Sequence, residues 1–148
     1  MRRILSVFLL SVLLGFAPGI SAQVPPGDAR PTGERESGFT LGPNYPNLFN
    51  PETRIPFDLH EVLFSSGGTA IVSVRIYNVL QQFVATPTAL SHPSGRAPLV
   101  DLEYVTPGRY EAYWDGLDQS DRLVASGIYF VQMTINGATD VMRMYVAK

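Results

Sequence analysis

Three aspartates, two histidines and one serine are the side chains whose types and spacing could make a site. Asp115, Asp118 and Asp121 fall three apart in one polar stretch, and carboxylates so grouped could ligate calcium through oxygen. They lack the alternate-residue spacing of an EF-hand loop, so the competing reading is a solvated turn in which aspartates cap their own backbone. His60 and His92 are the only histidines, and neither is accompanied by the serine or carboxylate pattern of a hydrolytic triad. Ser126 precedes Gly127, but the G-x-S-x-G sequence of a nucleophile elbow is absent. The chain contains no cysteine, which excludes a thiol nucleophile, thiolate metal ligation, a lipid-modified cysteine and disulfide bracing. The expectation is a protein with no catalytic residue, resident metal or cofactor, held together by an ordinary packed core.

What precedes these residues reads as an export leader. Met1-Arg2-Arg3 is a positive start, Ile4 to Phe16 is apolar apart from Ser6, Ser11 and Gly15, and Pro18-Gly19 breaks the run before Ile20-Ser21-Ala22. This is the pattern of a signal peptide over residues 1–22, cleaved after Ala22. Arg2-Arg3 also admits twin-arginine export, although two basic residues are ordinary at this position. The apolar run is shorter than the roughly 20 residues of a membrane-spanning helix, so no transmembrane segment is expected after processing. The chain carries 11 Lys and Arg against 13 Asp and Glu. Processing would remove Arg2 and Arg3 and no acid, leaving an acidic chain without the basic footprint of a nucleic-acid binder.

Residues 23–43 are rich in Pro, Gly and charge and predict a flexible lead; residues 44–148 predict one domain. Ile55, Phe57 and Leu59 alternate with Arg54, Pro56 and Asp58, and Pro56, lacking an N–H, predicts a sheet-edge strand. Val72, Val74 and Ile76 share one face of the next strand. A weak strand is expected at 82–85, followed by strands at 98–105 and 109–114, the latter aligning Tyr110, Ala112 and Trp114. Trp114, with the largest apolar area in the chain, is the expected core anchor. Strands at 128–135 and 138–146 flank Asn136-Gly137, a type I′ hairpin signal. About seven short strands at turn spacing and no convincing helix predict an all-β, immunoglobulin-like antiparallel β-sandwich.

These strands carry motifs. Asn44-Tyr45-Pro46-Asn47-Leu48-Phe49-Asn50-Pro51-Glu52-Thr53-Arg54-Ile55-Pro56-Phe57, Val74-Arg75-Ile76-Tyr77-Asn78-Val79-Leu80, Trp114-Asp115-Gly116, Ser126-Gly127-Ile128-Tyr129 and a basic last strand with Arg143 and Lys148 follow in order. Together they resemble the C-terminal sorting domain of the type IX secretion system (type A) from about Phe39 to Lys148, a family that overlaps the immunoglobulin-like domain of flagellar hook-capping proteins. The resemblance implies a non-enzymatic module that directs export and cell-surface attachment. Its implied partners are an outer-membrane translocon, a sortase-like protease and a surface lipopolysaccharide. It also implies that Gly127, Tyr129, Gly137, Arg143 and Lys148 form the recognised sorting signal. Read without it, Tyr129 packs into the sandwich and Arg143 and Lys148 are solvent-face charges.

Family members usually carry a passenger ahead of this domain, and almost none is seen here. The alternatives are a stand-alone structural or adhesive module of the hook-capping kind, a remnant of a larger protein and a small secreted enzyme. Locally, Leu48 replaces the family's proline, leaving Pro46 and Pro51 to hold the segment extended. Gln81 and Asp121 replace turn glycines, and both turns are expected to survive with adjusted geometry.

Overall fold

The computed structural model describes residues 37–148; the expected leader, its cleavage at Ala22 and residues 23–36 of the expected lead lie outside them. The described chain is an immunoglobulin-like antiparallel β-sandwich. Its elements in order are β1 (Phe39–Leu41), β2 (Thr53–Leu59), a 3-10 segment (Glu61–Gly67), β3 (Ala70–Asn78), β4 (Phe83–Ala85) and β5 (Thr88–Ala89). There follow β6 (Ala97–Pro98), β7 (Leu102–Tyr104), β8 (Gly108–Trp114), β9 (Gly127–Ile135) and β10 (Ala138–Val146). One sheet has the order β1-β2-β8-β5-β6 and the other β10-β9-β3-β4. β7 also lies on the outer side of β3, pairing Ala70 to Val72 while β4 pairs Ile76 and Tyr77.

Alternation places the core. Val72, Val74 and Ile76 from β3 and Val131, Met133 and Ile135 from β9 are buried against Ile55 and Phe57 of β2 and Ala112 and Trp114 of β8. This is the burial expected of facing sheets whose inner residues recur every second position. Asn136 (φ 49°) and Gly137 (φ 85°) close the β9–β10 hairpin, both in the left-handed conformation that a type I′ turn requires.

Four local expectations are corrected. The stretch 98–105 is two strands rather than one: β6 pairs β5 in the first sheet and β7 pairs β3 in the second. The chain changes sheets at Asp101 (φ 47°), which is held by Ser73, whose hydroxyl accepts from Asp101 N–H at 2.8 Å. The expected lead 23–43 contains β1, anchored by Phe39 at 4% exposure, so the sandwich begins before residue 44. Pro56 is buried between β1 and β8 instead of lying on an edge strand. Its missing donor falls where β1 ends, and Gly42 N–H still donates to the Pro56 carbonyl at 2.9 Å. Finally, the segment 44–51 is not extended. Leu48 has φ 65°, a value that proline cannot adopt, and the buried Asn44 amide ties the loop by donating to the Pro46 carbonyl (3.1 Å) and to Thr53 Oγ1 (3.0 Å).

Candidate functional site

Four of the five motifs meet at one corner of the sandwich. Phe49 enters the core fully buried and packs edge-on to Trp114, with ring centroids 5.4 Å apart. Trp114 in turn packs edge-on to Tyr129 at 5.7 Å. Each polar end is satisfied locally, as buried indoles and phenols require: Trp114 Nε1–H donates to the Leu117 carbonyl and Tyr129 Oη–H to the Ala125 carbonyl, both at 2.9 Å. Burial pushes the Tyr129 phenol up from its ordinary pKa. Gly116, at φ 75°, lies against Pro51, and a Cβ there would collide with the Pro51 carbonyl oxygen. The opening motif, the W-D-G turn and the S-G-x-Y strand are thus interlocked by ring contacts and one backbone contact.

The last strand completes the corner. Phe49 forms a parallel bridge with Val146, and Lys148 N–H donates to Ser126 Oγ at 3.1 Å. Gly127 is exposed at the start of β9, opposite Val146. Arg143 is exposed on β10, opposite Phe130, with its guanidinium 5.4 Å from the Tyr145 ring centre. Met144 and Val146, on the opposite face of the strand, are buried. Three of the expected recognition residues, Gly127, Tyr129 and Lys148, therefore fall at one end of the hairpin; Arg143 lies near the middle of β10 and Gly137 in the turn at the other end. Tyr129 is only 7% exposed, so its contribution is to packing, while Arg143, Lys148 and Gly127 present surface.

The aspartate stretch is a self-capped turn. Asp118 Oδ1 accepts from the backbone N–H groups of Ser120 (2.8 Å) and Arg122 (3.1 Å), and Oδ2 from the Arg122 guanidinium (3.1 Å). The backbone N–H of Arg122, then that of Ser120, holds the Asp118 carboxyl below the usual range. Asp115 Oδ1 accepts from Leu117 N–H. Among the described residues no three His, Cys, Asp or Glu side chains group as a metal site would need. His60 Nε2 contacts Thr40 Oγ1 of β1 at 3.1 Å and His92 Nε2 contacts the Glu103 carbonyl of β7 at 2.7 Å, so the two histidines serve separate sheets.

Two participants were not legible as such in the sequence. Phe49 stood inside a motif, but no period or spacing marks it as a rung on β10. Asp140 accepts a hydrogen bond from Val141 N–H at 2.8 Å, and its only sequence signal is a charge on a strand expected to end the sheet.

Among the described residues no helix is long and apolar enough to cross a membrane. Protein-family profiles and curated proteins yield no match to the chain. Among solved structures, the chain is similar to PorZ, an essential bacterial surface component of the type-IX secretion system of human oral-microbiomic Porphyromonas gingivalis. The identity is 18%, the TM-score 0.42, and the match covers 76% of this chain and 12% of that one.

Proposed function

We propose that this protein is an exported, non-enzymatic module that directs type IX secretion and attachment to the cell surface. The observation that carries the reading is the closed corner. Motifs separated in sequence lock the last strand in place through Phe49, Trp114, Tyr129 and the Pro51–Gly116 contact, while Arg143 and Lys148 remain exposed. A rigid sandwich with a fixed, basic C-terminal strand suits recognition by a translocon and a sortase-like protease, since a preformed edge needs little ordering on binding. A surface lipopolysaccharide is the attachment point this reading implies. The non-enzymatic part is supported by His60, His92 and Asp118 each serving a local structural contact.

Fractionation of the producing cell, with both termini of the chain read by mass spectrometry, tests this. The expected result is protein at the surface or in the medium beginning at Gln23. Protein retained in the cytoplasm with Met1 intact would overturn it.

A further inference from the structure

Among the described residues, the outer edge of β10 is unpaired in its middle and closed at both ends. In an antiparallel ladder each residue turns its N–H and C=O either both toward the partner strand or both away, in alternation. Phe49 N–H donates to the Tyr145 carbonyl (3.3 Å) and Ala147 N–H to the Phe49 carbonyl (3.1 Å), so the odd-numbered residues of β10 face away from β9. Phe49 is a one-residue rung on that edge, and the left-handed turn at Leu48 carries the chain away from it. At the other end the Asp140 carboxylate accepts the Val141 N–H and occupies the donor that an incoming strand would need. Between these stops the carbonyls of Val141 and Arg143 and the N–H groups of Arg143 and Tyr145 have no partner among the described residues.

Unpaired strand edges recruit another backbone for affinity, and flanking side chains set which one. Val141, 55% exposed, and Arg143 point to the solvent face of the sheet. Arg143 has no carboxylate partner among the described residues. Opposed residues in a ladder share a face, and the solvent-face residues of β10 are Thr139, Val141, Arg143 and Tyr145. No register of two β10 strands therefore offers Arg143 an acid, which favours a foreign segment over edge-to-edge pairing of β10 with β10 in a second copy.

We propose that Val141 to Tyr145 docks one extended segment of a different polypeptide as an added strand, with an apolar side chain beside Val141 and an acidic one beside Arg143, and that Asp140 latches the edge until it arrives. The proposal deepens the sorting reading and rests on it for the partner's place in the export or attachment machinery.

The test is host-independent. Purified chain is titrated with a fluorescent synthetic peptide in which threonine alternates with valine and glutamate in turn, and binding is read by anisotropy. Asp140→Ala should tighten binding by about tenfold, the worth of one freed donor. Arg143→Ala should weaken it about tenfold or less. Arg143→Pro, which removes an outward N–H but no bond to β9, should abolish binding while circular dichroism verifies the fold. Absence of binding to both the native chain and Asp140→Ala would overturn the proposal, as would equal binding by Arg143→Pro and Arg143→Ala. A concentration-dependent dimer in sedimentation velocity that Arg143→Pro removes would also overturn it, reassigning the edge to a second copy. Peptide binding without surface delivery of the protein would uphold the edge and remove the sorting reading; delivery without peptide binding would do the reverse.

Discussion

Gly116 shows how tightly single residues are specified. A side chain there would have to adopt φ 75° and enter the Pro51 carbonyl, so Gly116→Ala should lower stability by at least about 2 kcal/mol, the left-handed penalty plus displacement of the 44–51 loop. Trp114→Ala, which empties the space between Phe49 and Tyr129, should cost about 3–5 kcal/mol. Gln81 is the opposite case: it holds φ 60° without being glycine. Gln81→Gly should therefore stabilise by about 0.5–1 kcal/mol, the relieved backbone strain less the entropy of the new glycine. Urea unfolding measures all three. Tyr104 adds a pH dependence. Its burial, and then the neighbouring Tyr110, push its phenol up to about 12. The folded state thus stays protonated where the unfolded chain has ionised, so this contribution is full below pH 10 and is lost as pH rises toward 12. The loss should approach about 3 kcal/mol, and Tyr104→Phe should remove that part of the slope in unfolding curves taken across this range.

At the scale of elements, the long strands were readable because their apolar residues alternate: β2, β3, β8, β9 and β10 were all expected close to where they lie. Asn136-Gly137 also announced its turn through the backbone conformation it favours. Short elements were harder to read. β1 has three residues, with only Phe39 and Leu41 to mark it, and β6 and β7 read as one strand because a change of sheet at Asp101 leaves no mark in alternation. The corner was legible as a set of motifs but not as a contact, since nothing in local sequence says that Phe49 meets Trp114 or bridges Val146. The inferred facing of β10 makes its own prediction about folding. Arg143→Pro deletes an N–H that points away from β9, whereas Met144→Pro deletes one that points into the ladder and disturbs a buried side chain. Met144→Pro should be the more destabilising by about 3 kcal/mol or more, as read by thermal or urea unfolding; equal losses would mean that the strand faces the other way.

For the whole molecule, the sandwich carries a C-terminal strand whose inner side is sealed and whose outer side bears charge. Composition and the expected leader point to an exported, acidic chain, and the motifs resemble a sorting domain; Phe49, Pro51, Trp114, Gly116 and Tyr129 hold the corner shut, so under the proposed sorting role the part left to a receptor is small. That part can be changed without touching the core, because Arg143 and Lys148 are exposed while Met144 and Val146 remain inside. The most direct measurement is surface delivery of a reporter carrying a signal peptide and residues 39–148 in a host with type IX secretion. It is compared with the same reporter bearing Arg143→Glu and Lys148→Glu and verified as folded. The account predicts surface delivery of the first and periplasmic accumulation of the second. No delivery of the unmutated reporter would contradict the sorting role, and equal delivery of the two would contradict recognition through the basic strand.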